Sequence, residues 1–145
     1  MIMSETLDLS ALRKAIASLD DGVSIVNDST WFDQQPEKVQ NTVISGVIKN
    51  FEFTYEVSVK MIRRQIEIES ISPTEVDQSS FREIIRISAE KGLIANVTAW
   101  FHYREMRNIT SHTYDHDKAR QVYREILTFA EDAQSLLTRL EARNA

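Results

Sequence analysis

An apolar stripe at helical spacing runs from Glu37 to about Ser70, and it points to a helical architecture more strongly than any other feature. Apolar residues recur there every three or four positions, and no proline interrupts them. At ~1.5 Å per residue such a helix reaches roughly 50 Å, long enough for the spine of a bundle. Gly46 lies inside it and is expected to soften it. The stripe comprises Val39, Val43, Ile44, Val47, Ile48, Phe51, Tyr55, Val59, Ile62 and Ile66.

Two shorter helices are predicted on either side of this spine. Residues 8–26 carry one apolar stripe, with Asp8 as the expected N-cap, and a linker of about ten residues then leads to Pro36. After the spine, Ser79 or Ser80 begins a helix that Gly92 ends.

Two more helices complete the pattern. Asn96 caps a segment that carries Trp100 and Met106, and the polar residues 107–117 are expected to break it. The last helix runs from Lys118 onward, with Asp115 or Asp117 at its N-terminus. The sequence therefore predicts an all-α fold, an antiparallel up-and-down bundle of about five helices that forms a single domain over residues 1–145.

Composition excludes several classes of protein. With 3 Gly and 2 Pro the chain has too few turn residues for a many-stranded sandwich, and with no Cys it has no disulfide, thiolate nucleophile or thiolate metal site. The net charge of -5 gives no global basic field, so contact with RNA requires a local patch. No apolar run approaches the ~18 residues of a membrane span, and acidic residues occupy the N-terminus. We expect a soluble, cytoplasmic protein.

A polar segment between the last two helices concentrates the chemistry. His102, His112 and His116 all fall within residues 102–116, and Arg107 begins the run R-N-I-T-S-H-T-Y-D-H. Histidine transfers protons near neutral pH and arginine holds phosphate, so together they suit a phosphodiester substrate. The competing interpretation is that Arg107 pairs with an acid such as Glu105 and that His112 is an ordinary loop residue.

Two other chemistries compete for the same segment. His112 and His116, with Asp115 or Asp117, form a metal site only if residues 112–116 are helical, and Asp115 resembles an N-cap. A nucleophilic triad built on Ser111 lacks an oxyanion hole. We therefore expect neither a metal nor a cofactor.

The number of protons to be moved favours a dimer. Cleavage of RNA through its own 2′-hydroxyl, without a metal, needs a base, an acid and a cation near the phosphate. One chain offers one well-placed histidine, whereas a symmetric homodimer that joins two 107–112 segments supplies two histidines and two arginines.

The segment also resembles a known signature. Arg107 and His112, separated by four residues and with the polar Asn108 after the arginine, resemble the motif of HEPN domains, the helical "higher eukaryotes and prokaryotes nucleotide-binding" superfamily. The longer block R-N-I-T-S-H-T-Y, which ends at Tyr114, resembles that of HEPN toxins paired with minimal nucleotidyltransferases.

A second block narrows the resemblance. F-E-F-T-Y-E at residues 51–56, followed by Lys60 and later by Ala99-Trp100, is similar to the nucleotidyltransferase substrate-binding protein branch. The likeness covers nearly the whole chain.

This resemblance implies a two-component module in which the protein binds a cognate minimal nucleotidyltransferase, as a homodimer or within a heterotetramer. Arg107 and His112 would form a ribonuclease active site supported by Asn108, and the partner would silence it by adding AMP to Tyr114. A bulky anion there would fill the RNA cleft and repel the phosphate backbone. The alternative is a non-catalytic subunit that binds a substrate or nucleotide for the transferase.

One face of the long helix offers supporting residues. Glu56 and Lys60 lie four apart in the order that favours an ion pair. If this face points toward the polar segment, Glu56 instead orients Arg107 or His112. Residues 60–64 are also the densest basic cluster, which either contacts RNA phosphate or forms a solvated face.

Overall fold

The computed structural model describes residues 6–112 and 115–145, with residue 112 described by its backbone alone. The regular structure in these residues is entirely helical, and none of the helices is long and apolar enough to cross a membrane. The helices are α1 (Ser10–Asn27), α2 (Ser29–Phe32), α3 (Glu37–Glu69), α4 (Pro73–Gln78), α5 (Phe81–Glu90), α6 (Val97–His112) and α7 (His116–Arg143).

The helix α3 is the spine of an antiparallel bundle, as predicted. Its 33 residues contact α1, α4, α5, α6 and α7, and the helix continues unbroken through Gly46. It follows Pro36 and ends one residue before Ser70, so both predicted boundaries are confirmed. Because every other long helix packs on α3, residues on its different faces meet partners from distant parts of the chain.

The prediction of five helices missed two short ones, α2 and α4. The expected linker after α1 contains α2, which buries Phe32, and α4 begins with Pro73 in its first turn and buries Val76. Each short helix has one buried apolar anchor, and one anchor cannot produce a periodic pattern in the sequence.

Most of the predicted helix ends are confirmed. Gly92 follows α5 with a φ of 80°, a conformation that favours glycine. The prediction for Asp8 is wrong by one residue, because Leu9 is the N-cap of α1 and Asp8 instead accepts the backbone N–H of Ser10. Three N-caps accept a backbone N–H in the first turn of their helix, namely Ser80, Asn96 and Asp115.

The predicted break at Arg107 is wrong for residues 107–112, where α6 remains helical. The hydroxyl groups of Thr110 and Ser111 donate to the Arg107 carbonyl oxygen at 3.1 and 2.8 Å. The Arg107 side chain is bonded to α3. Polar contacts with a neighbouring helix thus stabilise this turn, and an apolar pattern does not reveal such contacts.

Two glycines give a matched test of the α1–α3 packing. A Cβ at Gly22 would lie 2.8 Å from Cγ2 of the buried Val47, whereas a Cβ at Gly46 would meet no atom within 4 Å. We expect Gly46→Ala to stabilise the fold by about 0.5–1 kcal/mol, because glycine loses more chain entropy on folding. Gly22→Ala should destabilise it by about 1–3 kcal/mol through overpacking. Urea unfolding measures both, and equal responses would contradict this close approach.

Candidate active site

The Arg107 guanidinium is held between α6 and α3 by two carboxylates. Its Nε and Nη2 donate to Oε1 of Glu56 at 3.0 and 2.5 Å, and its Nη1 lies 3.1 Å from Oε2 of Glu52. The Arg107 side chain is 28% exposed and that of Glu52 only 11%, so the second contact pairs a nearly buried charge. These contacts fix the plane of the guanidinium.

Glu52 is the residue on which several polar contacts converge, and the sequence interpretation missed it. The Ser111 hydroxyl oxygen lies 3.3 Å from its Oε2, and Lys49 Nζ lies 3.9 Å from its Oε1. Glu52 precedes Glu56 by four residues, so its place on the same helical face was a signal that could have found it.

A cavity of about 390 Å³ opens beside this cluster, between α3, the end of α6 and the start of α7. Arg107, Lys49, Lys118 and His116 bring basic groups to its wall, with Glu52 and Asp115 as the opposing acids. This size is within the range of small-ligand sites, and the cations suit a phosphate group. The other lining residues are Ser45, Ile48, Ile109, Thr110, Ser111, Asp115, Ala119 and Val122.

Asn108 lies on a different side of α6. It lines a second cavity, of about 230 Å³, together with residues of α5 and α6. Consecutive residues of an α-helix project about 100° apart, so the structure does not bring Asn108 into the cavity of Arg107.

His112 is the last residue of α6, but its side chain and Tyr114 lie outside the described residues. The catalytic role of His112 and the modification of Tyr114 therefore stay predictions. The alternative interpretation, a metal site, also required the His112 side chain as a ligand. Among the described residues, no group of three His, Cys, Asp or Glu side chains could hold a metal ion.

Glu56 contacts Arg107, as expected if this face of α3 points toward the polar segment. Lys60 is exposed and forms no ion pair with a described residue, so the Glu56–Lys60 pair does not occur. The suggested partner Glu105 instead lies 3.7 Å from His102. In the basic cluster at residues 60–64, one arginine, Arg63, donates to backbone carbonyl groups near α4.

Tyr55 lies in the same part of α3 and stays a neutral hydroxyl. Burial raises its pKa to about 12, although the positive charges of Arg104 and Arg107 oppose the change. A phenol with this pKa does not act as a base at neutral pH.

The two sequence blocks that carried the resemblance meet in space, because Glu52 and Glu56 come from one and Arg107 from the other. A family described as nucleotidyltransferase substrate binding protein like matches residues 7–142. The chain belongs to this family. The branch expected from the motifs is thus confirmed over nearly the full length.

Individual relatives of this family agree with the match. A protein of Haemophilus influenzae named "Probable ribonuclease HepT" is 43% identical over 143 residues, covering 99% of this chain and 98% of the relative. A solved structure from Haemophilus influenzae, described as the fold of a substrate binding domain of a nucleotidyltransferase, has a TM-score of 0.90 at 42% identity and covers 92% of this chain and 99% of its own. A Thermus thermophilus structure at 23% identity shares the fold, with a TM-score of 0.66 and coverage of 89% and 98%.

Proposed function

We propose that this protein is the HEPN component of a two-component nucleotidyltransferase module and acts as a metal-independent endoribonuclease. The observation that carries the proposal is the fixed Arg107 guanidinium at the wall of a cavity with further cations. Each Nη atom has two N–H groups, so the contacts with Glu52 and Glu56 leave N–H groups free to bind a phosphate oxygen. The relative named as a ribonuclease supports the same activity.

The proposed reaction is an attack of the RNA 2′-oxygen on the adjacent phosphorus. His112 of one protomer takes the 2′-hydroxyl proton, and the partner's His112 gives a proton to the 5′-oxygen as the P–O5′ bond breaks. The products are a 2′,3′-cyclic phosphate and a 5′-hydroxyl. Arg107 neutralises charge on the phosphorane-like transition state. Because two histidines are needed, the active species is a homodimer.

A second candidate function is the binding of a nucleotide for the transferase without cleavage. The size of the cavity favours it, as does the described role of the Haemophilus influenzae structure as a substrate binding domain. In this case the cavity binds a mononucleotide such as AMP and the purified protein leaves RNA intact.

Expression of the chain alone in a bacterial cell tests the proposal. We expect growth arrest with the unmodified protein and normal growth with His112→Ala, because removal of the proposed proton-transfer group of each protomer stops cleavage. His102→Ala is the matched control, since His102 is an exposed histidine on the same helix whose contacts are with Glu105 and Glu125. Persistent arrest with a folded His112→Ala protein would contradict the ribonuclease assignment.

Tyr114 is the proposed site of silencing. Co-expression with the cognate nucleotidyltransferase should add AMP to its phenol oxygen, with release of pyrophosphate from ATP, and place phosphate charge beside the active site. Tyr114→Phe should keep ribonuclease activity and gain no mass, whereas Tyr123→Phe, which changes a buried tyrosine of α7, should be modified like the unmodified chain. Intact-mass spectrometry measures the added mass on each variant, and the same adduct on Tyr114→Phe would refute the assignment.

A further inference from the structure

Arginine and phenylalanine side chains alternate on the face formed by α5 and α6. The guanidinium carbon of Arg82 lies 4.5 Å from the Phe101 ring centroid, and that of Arg104 lies 4.6 Å from the Phe81 centroid. Arg86 lies 6.0 Å from the Phe101 centroid. The two rings are 6.2 Å apart, so the five residues form one continuous surface, which we call the Arg–Phe patch.

The Arg–Phe patch is locally positive in an acidic chain. Arg82, Arg86 and Arg104 form no ion pair with a described residue, whereas Arg13, Arg107 and Arg143 each pair with a glutamate. The acid among the residues that line the adjoining second cavity is Glu105, so three arginines against one glutamate give a local excess of positive charge in a chain of net charge -5. A local excess of this kind attracts a polyanion even when the global charge repels it.

We infer that the Arg–Phe patch binds a single-stranded segment of RNA, an inference that rests on the proposed function. A guanidinium stacked on a phenylalanine ring presents an exposed flat face for a nucleobase and N–H edges for phosphate oxygens. The second cavity, of about 230 Å³, lies among Phe81, Arg82, Phe101 and Arg104 and gives a base a place to enter. An acidic peptide would satisfy the charges but would not use the stacked planes, so RNA fits the patch better.

The position of Asn108 links the patch to the active site. Asn108 and Glu105 line the second cavity, and Arg107, one residue before Asn108, lines the first. A strand bound on the patch therefore lies beside the turn of α6 that carries Arg107. The amide of Asn108 has both a donor and acceptor for a base edge, which gives this motif residue a role in binding RNA rather than in proton transfer.

Fluorescence anisotropy with a labelled 2′-O-methyl oligonucleotide of about 12 nucleotides tests the patch on the full chain. This probe has no 2′-hydroxyl, so it cannot be cleaved. We expect Arg82→Gln combined with Arg104→Gln to weaken binding about tenfold or more, since the two substitutions remove both the guanidinium faces and their charges. Loss of two phosphate contacts should also reduce the slope of log Kd against log salt by about 1.4.

The lysine versions separate stacking from charge. Arg82→Lys with Arg104→Lys should keep the salt slope and still lose affinity, because an ammonium group does not offer a flat face. The control is Arg124→Gln, an exposed arginine of α7 for which no change is expected. Unchanged binding of the probe by the Gln double variant would overturn the inference. It would also be overturned if the substitutions abolished binding of the nucleotidyltransferase or dimerisation while RNA binding persisted. RNA binding that depends on the patch, with no cleavage of an unmodified RNA of the same sequence, would support the patch and reject the ribonuclease.

Discussion

If the proposed function holds, Arg107→Ala is expected to slow RNA cleavage by the purified protein by roughly 10²–10³-fold, the usual effect of removing one donor that stabilises transition-state charge. Glu52 and Glu56 hold the guanidinium in place, so its orientation is fixed before a phosphate binds. Arg107→Lys should lose less, because it keeps a positive charge but lacks the planar fork. A single-turnover assay with a short RNA in EDTA measures these rates and also tests the absence of a metal requirement.

The same variant has a structural consequence that needs a control. Removing Arg107 leaves the nearly buried Glu52 without its closest cation, which should lower stability by about 1–3 kcal/mol. Rates are therefore compared below the unfolding transition of each variant, with Arg124→Ala as an exposed arginine control. Cleavage at the unmodified rate by folded Arg107→Ala would remove Arg107 from the mechanism.

Mixed dimers extend this test to the composite site. A dimer with one unmodified chain and one His112→Ala chain keeps both arginines but only one of the two histidines that the proposed reaction needs. If the site is shared across the dimer interface, this mixed dimer should be as inactive as the His112→Ala homodimer. Cleavage at about half the rate of the unmodified protein would argue against a shared site.

Phe129→Ala is expected to have the largest effect on stability, about 3–5 kcal/mol. Phe129 of α7 is fully buried, and its ring centroid lies 4.9 Å from that of Phe51, 5.0 Å from Tyr103 and 5.9 Å from Trp100. These edge-on contacts join α3, α6 and α7 at one point. Deleting the ring leaves a cavity that three helices cannot close at once, so the loss is expected at the upper end of the range.

Urea unfolding monitored by circular dichroism measures this change, and Phe53→Ala is the matched control. Phe53 is on α3, two residues after Phe51, but 55% exposed, so its removal should change stability by less than about 0.5 kcal/mol. Similar losses for the two variants would contradict the view that the α3–α6–α7 aromatic contacts hold the bundle together.

The predicted helices and most of their ends agree with the structure because both depend on local chemistry. The α3 stripe, the Ser80 and Asn96 caps and the left-handed Gly92 are each recognisable within a few residues of sequence. The prediction missed α2 because its apolar pattern is too short to recognise. It ended α6 too early because the last residues of that helix are polar.

The sequence by itself determined the helical class, the family motif and the candidate residues Arg107, Asn108 and His112. The tertiary structure decided which of the described residues meet. Glu52 and Glu56 are more than fifty residues from Arg107 in the chain, yet they hold its guanidinium, whereas the neighbouring Asn108 faces a different cavity. Periodicity shows which face of one helix is apolar, but the rotation and axial position of α6 against α3 depend on how their buried side chains pack together.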